Sequence, residues 1–139
     1  MFEYFNPNPT CKFFKSGKPK SWYLNDSSVR AVAKALNVTW AVAYKLLSVT
    51  GEEIFDVMTS KTVLDKVLQN NDYNFVTLGK PTKGGSRPTV KEFLENHPTG
   101  TYVLNLADYF VTVINNTAFD VSEDCFKSSV YSYWEKKSE

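Results

Sequence analysis

The sequence predicts an α+β fold in which N-terminal helices pack on a small antiparallel sheet. Three observations carry this. In the first half, Val29, Val32, Ala33 and Leu36 recur at i, i+3, i+4 and i+7, the period of an amphipathic helix. In the second half, Tyr102, Leu104 and Leu106 alternate with Thr101, Val103 and Asn105. A β-branched run, Phe110-Val111-Thr112-Val113-Ile114, follows and breaks at Asn115-Asn116, and Ala118 and Phe119 then lead to Asp120. Strand-type runs punctuated by an Asn pair that tolerates positive φ read as a meander. Finally, 139 residues with 42% hydrophobic and 15% aromatic content suffice for one domain with a core of its own, spanning 1–139.

Taken in order, residues 1–24 read as an extended arm, because Asn6 and Asn8 each precede a proline and are steered away from helix. Asn25-Asp26 is the expected N-cap pair of the helix SSVRAVAKAL. Thr39 caps a second helix with Trp40, Ala43, Tyr44 and Leu47 on one stripe and Gly51 just beyond its end. A third helix, about Ser60–Gln69, carries Val63, Leu64, Val67 and Leu68 and stops at Asn70-Asn71. Tyr73–Leu78 reads as a strand, KPTKGGSRP as a flexible basic loop, and Thr89 with Glu92 as the capping box of a short helix ended by His97-Pro98. After the meander, Ser128–Trp134 alternates as a closing strand before a charged tail.

Composition narrows the chemistry. A net charge of +1 supplies no global field toward nucleic acid or acidic lipid. In the arm, Lys12, Lys15, Lys18 and Lys20 interleave with Phe13, Phe14, Trp22 and Tyr23, a mixture able to hold a phosphate backbone and stack bases. The plainer reading, a basic arm whose aromatics pack on the core, is favoured because no other basic excess supports the first. Gly84-Gly85 is no phosphate loop, since no GK[ST] follows. No apolar run nears 18 residues and no secretory leader is visible, so the expected setting is cytoplasmic, without a membrane, and with reduced thiols. Cys11 and Cys125 have no spacing that demands a disulfide, and with a single histidine they form no zinc pattern, so neither metal nor cofactor is expected.

The order of motifs carries a resemblance. NPNP stands near the start, Asp26-x-x-Val29-Arg30-Ala31 opens a helix, and Trp40-x-x-x-Tyr44 lies on the next. TVKEF, a Gly-Thr-Tyr strand, a strand beginning Ala-Asp-Tyr, an aromatic-Asp ending, a Cys and a final Tyr-Trp follow. In this order the chain resembles a family of small papain-like (C39-like) cysteine-peptidase-fold proteins common in phages and in prophage regions of Gram-positive bacteria. In that family the helix opens with Asp-Cys, the second strand begins with Asn-His, and the third ends in Tyr-Asp-Thr-Trp-Asp-Cys. Carried across, Asp26, Arg30 and Ala31 match, while the nucleophile position holds Ser27 and the histidine position holds Tyr109. Asp120 matches the acidic residue that would orient the histidine, and Cys125 matches the cysteine of the last motif. The tryptophan before that cysteine is absent.

The resemblance therefore implies a papain-like domain whose triad is degenerate at Ser27, Tyr109 and Asp120. A papain-like mechanism needs a thiolate at a helix N-terminus and an imidazole that generates it and later protonates the leaving group. Serine is not appreciably ionised at neutral pH, and tyrosine, with an ordinary pKa of about 10, is a poor base there. The implied function is a pseudo-peptidase whose cleft, around Asn25, Asp26, Ser27, Tyr109 and Asp120, binds a host protein, a peptide or a small ligand. Inhibition of a host defence system, in the host cytoplasm, is the role that a phage origin suggests. Two alternatives stand beside it: an active cysteine- or serine-type peptidase or amidase using another arrangement, such as His97 with Cys125 or Cys11, and a nucleic-acid-binding accessory protein using the Lys12–Lys20 arm and the Lys80–Arg87 loop. On the placement of Tyr109 and Asp120 around the Asn115-Asn116 turn, the Tyr109 hydroxyl is expected to hydrogen-bond Asp120.

Overall fold

The computed structural model describes residues 1–8, 25–78, 85–107 and 109–137. Among them a six-stranded mixed sheet carries helices on both faces, so the chain is α+β. The strands are β1 (Phe2–Tyr4), β2 (Tyr73–Thr77), β3 (Thr101–Asn105), β4 (Phe110–Ile114), β5 (Thr117–Asp120) and β6 (Ser132–Lys136), in the spatial order β1-β5-β4-β3-β6-β2. The helices are α1 (Ser27–Leu36), α2 (Trp40–Ile54), α3 (Lys61–Asn70) and α4 (Val90–Asn96), with a 3₁₀ turn at Glu123–Lys127. The basic arm and Cys11, within 9–24, and most of the Lys80–Arg87 loop lie outside the described residues.

The local signals hold where hydrogen bonds are local. Thr39 accepts from Val42 N–H and Ser60 from Val63 N–H, and Thr89 and Glu92 close the capping box of α4. Asn115 and Asn116 take φ of 45° and 67°, the left-handed pair that a two-residue hairpin between β4 and β5 needs.

Alternation along the strands divides the core in two. Val103 and Trp134 pack against α1, α2 and α3, with Val29, Val32, Ala43, Leu47 and Leu64. Tyr102, Leu104, Val111, Val113 and Tyr133 face the other way, against Phe93 and Leu94 of α4 and against Cys125 and Val130. A strand buried on both faces, as β3 is at Tyr102, Val103 and Leu104, belongs to the middle of a layered domain. α1 is the most enclosed helix. Every residue from Ser28 to Ala33 is buried, and its Ala31 carbonyl accepts from the Thr112 hydroxyl of β4 at 2.8 Å.

Three features depart from the sequence reading. The sheet is mixed rather than antiparallel, because Phe2–Tyr4 adds a parallel edge strand to β5. Phe5 N–H bonds the Asp120 carbonyl and Ala118 N–H the Met1 carbonyl, both at 2.9 Å, which satisfies an edge left open by the meander. The closing strand runs Ser132–Lys136 rather than Ser128–Trp134. Residues 129–130 are drawn to the start of α4 instead, through a Thr89–Ser129 bridge and the Val130 N–H to Pro88 carbonyl bond at 2.8 Å. β6 then extends through Glu135 and Lys136 because it pairs with β3 on one side and β2 on the other.

The third departure is Gly51, which lies inside α2, not beyond it. A Cβ there would stand 2.7 Å from the Asp56 carbonyl oxygen, so the chain leaving α2 folds back onto the helix at this residue. Gly51→Ala gains about 1 kcal/mol of helix propensity. It meets an immovable backbone atom, a type of overpacking that costs about 1–3 kcal/mol. The expected outcome is a lower melting temperature; an unchanged or raised one would show that the 51–56 approach is looser than described.

Candidate functional site

α1 begins at Ser27 and aims its first turn at the start of β4. The Ser27 hydroxyl oxygen accepts a hydrogen bond from Phe110 N–H at 3.3 Å, across 83 residues of sequence. Phe110 packs toward α1 and the neighbouring helices. Helix start and strand start are thereby joined directly.

Asp26 precedes α1 at the N-cap position, but its side chain does not cap. Its carboxylate instead accepts from Arg30 Nε at 2.9 Å, Trp40 Nε1 at 3.0 Å and Asn8 Nδ2 at 3.4 Å. An ion pair with a guanidinium, both partners charged, outweighs the bond from an uncharged backbone N–H that an N-cap offers. Asn25, beside it, is exposed.

Arg30 is the hub. From one turn into α1 its Nη1 reaches Asp120 Oδ1, at the end of β5, at 2.6 Å. Arg30 is 4% exposed and Asp120 is fully enclosed. Asp120 Oδ1 also accepts Val121 N–H at 2.7 Å, while Arg30 Nη2 and Asp120 Oδ2 have no hydrogen-bond partner among the described residues. Two carboxyl groups thus share one guanidinium. Burial holds the Asp120 carboxyl above the ordinary carboxylate range, against the opposing pull of Arg30 and Val121 N–H and with a further push from Asp26. In the sequence Arg30 stands out only as a motif match. The signal for its structural role is an arginine four residues after Asp26 and flanked by Val29, Ala31 and Val32, where a solvated cation does not belong.

Tyr109 departs from expectation. Its hydroxyl shares a hydrogen bond with Ser128 Oγ at 3.3 Å, and its ring packs with the cluster on the α4 face of the sheet. Asp120, expected to take that hydroxyl, is held by Arg30. The pleat turns neighbouring residues to opposite faces, so with Phe110 toward α1 the Tyr109 ring lies on the other face from Ser27, while Asp120 is taken by the Arg30 guanidinium and the Tyr109 hydroxyl by Ser128. Of the expected cluster, Ser27 meets the backbone of the β4 start, Asp26 and Asp120 meet through Arg30, and the Tyr109 side chain goes elsewhere.

The single histidine is also across the sheet from Ser27. His97 stacks on Phe93 with ring centroids 4.0 Å apart, and its Nδ1 lies 3.0 Å from the Phe93 carbonyl. The Tyr102 and Tyr133 rings stand edge-on around it. Cys125, fully buried in the same cluster, has its thiol pushed up to about 12 by burial and then by the charge of Asp120, so it is not a thiolate nucleophile at neutral pH. Its Sγ is a free thiol. Among the described residues no group of three His, Cys, Asp or Glu side chains is placed to hold a metal ion, and no helix is long and apolar enough to cross a membrane.

Comparison with protein-family models, with curated proteins and with solved structures finds no match. The Ser27 hydroxyl accepts a backbone N–H and the single histidine lies on the opposite face of the sheet, so no imidazole adjoins it to act as a base. What this end of the fold offers is a fixed polar surface: the exposed Asn25, the half-buried Ser27, and Trp40, whose indole is anchored to Asp26 and stacked on Tyr44 at 5.2 Å.

Proposed function

We propose that the protein is a catalytically inactive papain-like binding protein whose ligand, a host protein or peptide segment, docks beside the start of α1. The observation that supports this most is the hydrogen bond from Phe110 N–H to Ser27 Oγ. It joins the N-terminus of a buried helix to the start of an antiparallel strand, where a papain-like cleft sets its nucleophile against its histidine strand. Asp120, on the neighbouring strand β5, is turned into a structural ion pair with Arg30. The residues that the resemblance places at a triad thus hold the framework together, and binding is the activity left to the cleft. A phage origin makes a host defence protein the first partner to test.

The wild-type protein is expected to hydrolyse no peptide or amide substrate above the buffer rate. Ser27→Cys is expected to gain reactivity toward iodoacetamide at neutral pH, because a thiol at a helix N-terminus is acidified by the N–H groups and the dipole. It gains no peptidase activity, because no imidazole stands near, and adding Tyr109→His does not supply one while residue 109 faces α4. Binding is tested by affinity capture from host extract with wild type and with Asn25→Arg, an exposed substitution at the cleft. Loss of a partner in the variant at unchanged melting temperature supports the reading. A wild-type hydrolase activity abolished by Ser27→Ala overturns it.

A further inference from the structure

The connection from α2 to α3 carries a second binding feature, distant in sequence from the cleft, and only the choice of host extract for its test rests on the reading above. Two helices end with the same arrangement. At the end of α1, Asn37 N–H bonds Lys34 O and Val38 N–H bonds Ala33 O, with Asn37 at φ 55°. At the end of α2, Phe55 N–H bonds Glu52 O and Asp56 N–H bonds Gly51 O, with Phe55 at φ 58°. This Schellman geometry calls for a left-handed residue, ordinarily Gly or Asn. α1 follows that rule with Asn37. α2 places there a phenylalanine that is 96% exposed.

Neither folding nor local propensity accounts for Phe55. Its ring is in water, and its backbone occupies a region that side chains with a Cβ disfavour. The turn is nevertheless rigid. Gly51 admits the Asp56 carbonyl at a distance no Cβ would allow. Asp56 Oδ1 accepts Val57 N–H and Oδ2 accepts the Ser60 hydroxyl, both at 2.8 Å, and Ser60 in turn caps α3. Val57, 68% exposed, stands two residues from Phe55 on the same turn. A large ring carried on a backbone fixed in advance leaves only its own χ angles to order on docking, which limits the entropy lost by an interface anchor.

The charges around it state the partner. Glu52, Glu53 and Asp56 are all exposed, no basic residue occurs between positions 46 and 60, and the described residues form no ion pair to any of the three. The nearest following cation, Lys61, has its ammonium over the Phe75 ring at 4.7 Å. Like charge disfavours placing two copies of this turn face to face. We propose that Phe55, supported by Val57, is the anchor of a docking surface for a partner protein that offers an apolar pocket rimmed by lysine or arginine.

Two measurements test it. Phe55→Gly relieves the left-handed conformation and is expected to raise the melting temperature by about 2–4 °C; a fall would show that Phe55 serves the fold and would overturn the proposal. Benzoylphenylalanine placed at position 55 in the full chain is then irradiated in host extract, with the same probe at exposed position 66 as control. The expected result is an adduct specific to position 55, mapped to a partner segment bearing lysine or arginine. Its yield should fall at least about ten-fold with Glu52→Lys and Glu53→Lys together, and strongly in about 0.5 M salt, where charges are screened within a few ångströms. No adduct above the control, one indifferent to charge reversal and salt, or one formed only with a second copy of the chain overturns it.

Discussion

Deleting residues 128–139 is expected to abolish the cooperative transition. β6 is not a terminal appendage but an interior strand, hydrogen-bonded to β3 on one side and β2 on the other. Its removal strips both neighbours of backbone partners and leaves β2 with no sheet to join. It also removes Trp134, fully enclosed among α1–α3 with its indole N–H on Asp65 Oδ1 at 2.7 Å, and Tyr133 and Val130 from the opposite face. A buried tryptophan alone is worth about 3–5 kcal/mol against alanine. A whole domain of this size has only about 5–15 kcal/mol in hand. Circular dichroism and scanning calorimetry check this: the truncated chain should be insoluble or melt without a peak. Trp134→Ala provides a milder version, with a melting temperature lower by roughly 10 °C. A truncated chain that melts near wild type would show that β6 is dispensable and that the two-faced core is not shared as described.

Arg30→Met is the second large effect. It keeps the aliphatic stem within buried α1 but removes the one cation that the described residues place between Asp26 and Asp120, leaving a fully enclosed carboxylate without its ion-pair partner. Breaking a buried pair from one side costs about 3–5 kcal/mol. Asp120→Asn should cost much less, because it retains an acceptor for Arg30 and Val121 N–H and leaves Arg30 and Asp26 balanced one to one. The two variants also differ in their pH dependence. Burial raises the proton affinity of Asp120 in the folded state above that in the unfolded chain. Its contribution to stability is therefore fully present below the unfolded carboxyl pKa of about 3.9 and is lost as pH rises through the folded value. Measured against wild type, Asp120→Asn should compare progressively better as pH increases from about 4 toward neutrality. A wild-type advantage that grows with pH would mean that Arg30 outweighs desolvation, reversing the balance described for this cluster.

How far the sequence reaches is seen by comparing Thr89 with Asp26. Both are cap residues by type and position. Thr89 caps, in a box with Glu92, because both partners of that interaction lie within four residues. Asp26 does not, because Arg30, Trp40 and Asn8 compete for its carboxylate, and the last two reach it only once the chain has folded. By itself the sequence determined the α+β class, α1, α3, α4 and the Asn115-Asn116 hairpin. Each of these rests on periodicity, capping or φ preference within a few residues, and those terms are present before any tertiary contact forms. Tertiary structure alone decided the parallel edge of Phe2–Tyr4 on β5, the shift of β6 to Ser132–Lys136, the position of Gly51 inside α2 and the pairing of the Tyr109 hydroxyl with Ser128 rather than Asp120. It also joined Arg30 to Asp120 across 90 residues. In each of these the chain satisfies a buried polar group, an open sheet edge or a close backbone approach with whatever the fold brings near, and no local pattern encodes a partner that distant in sequence.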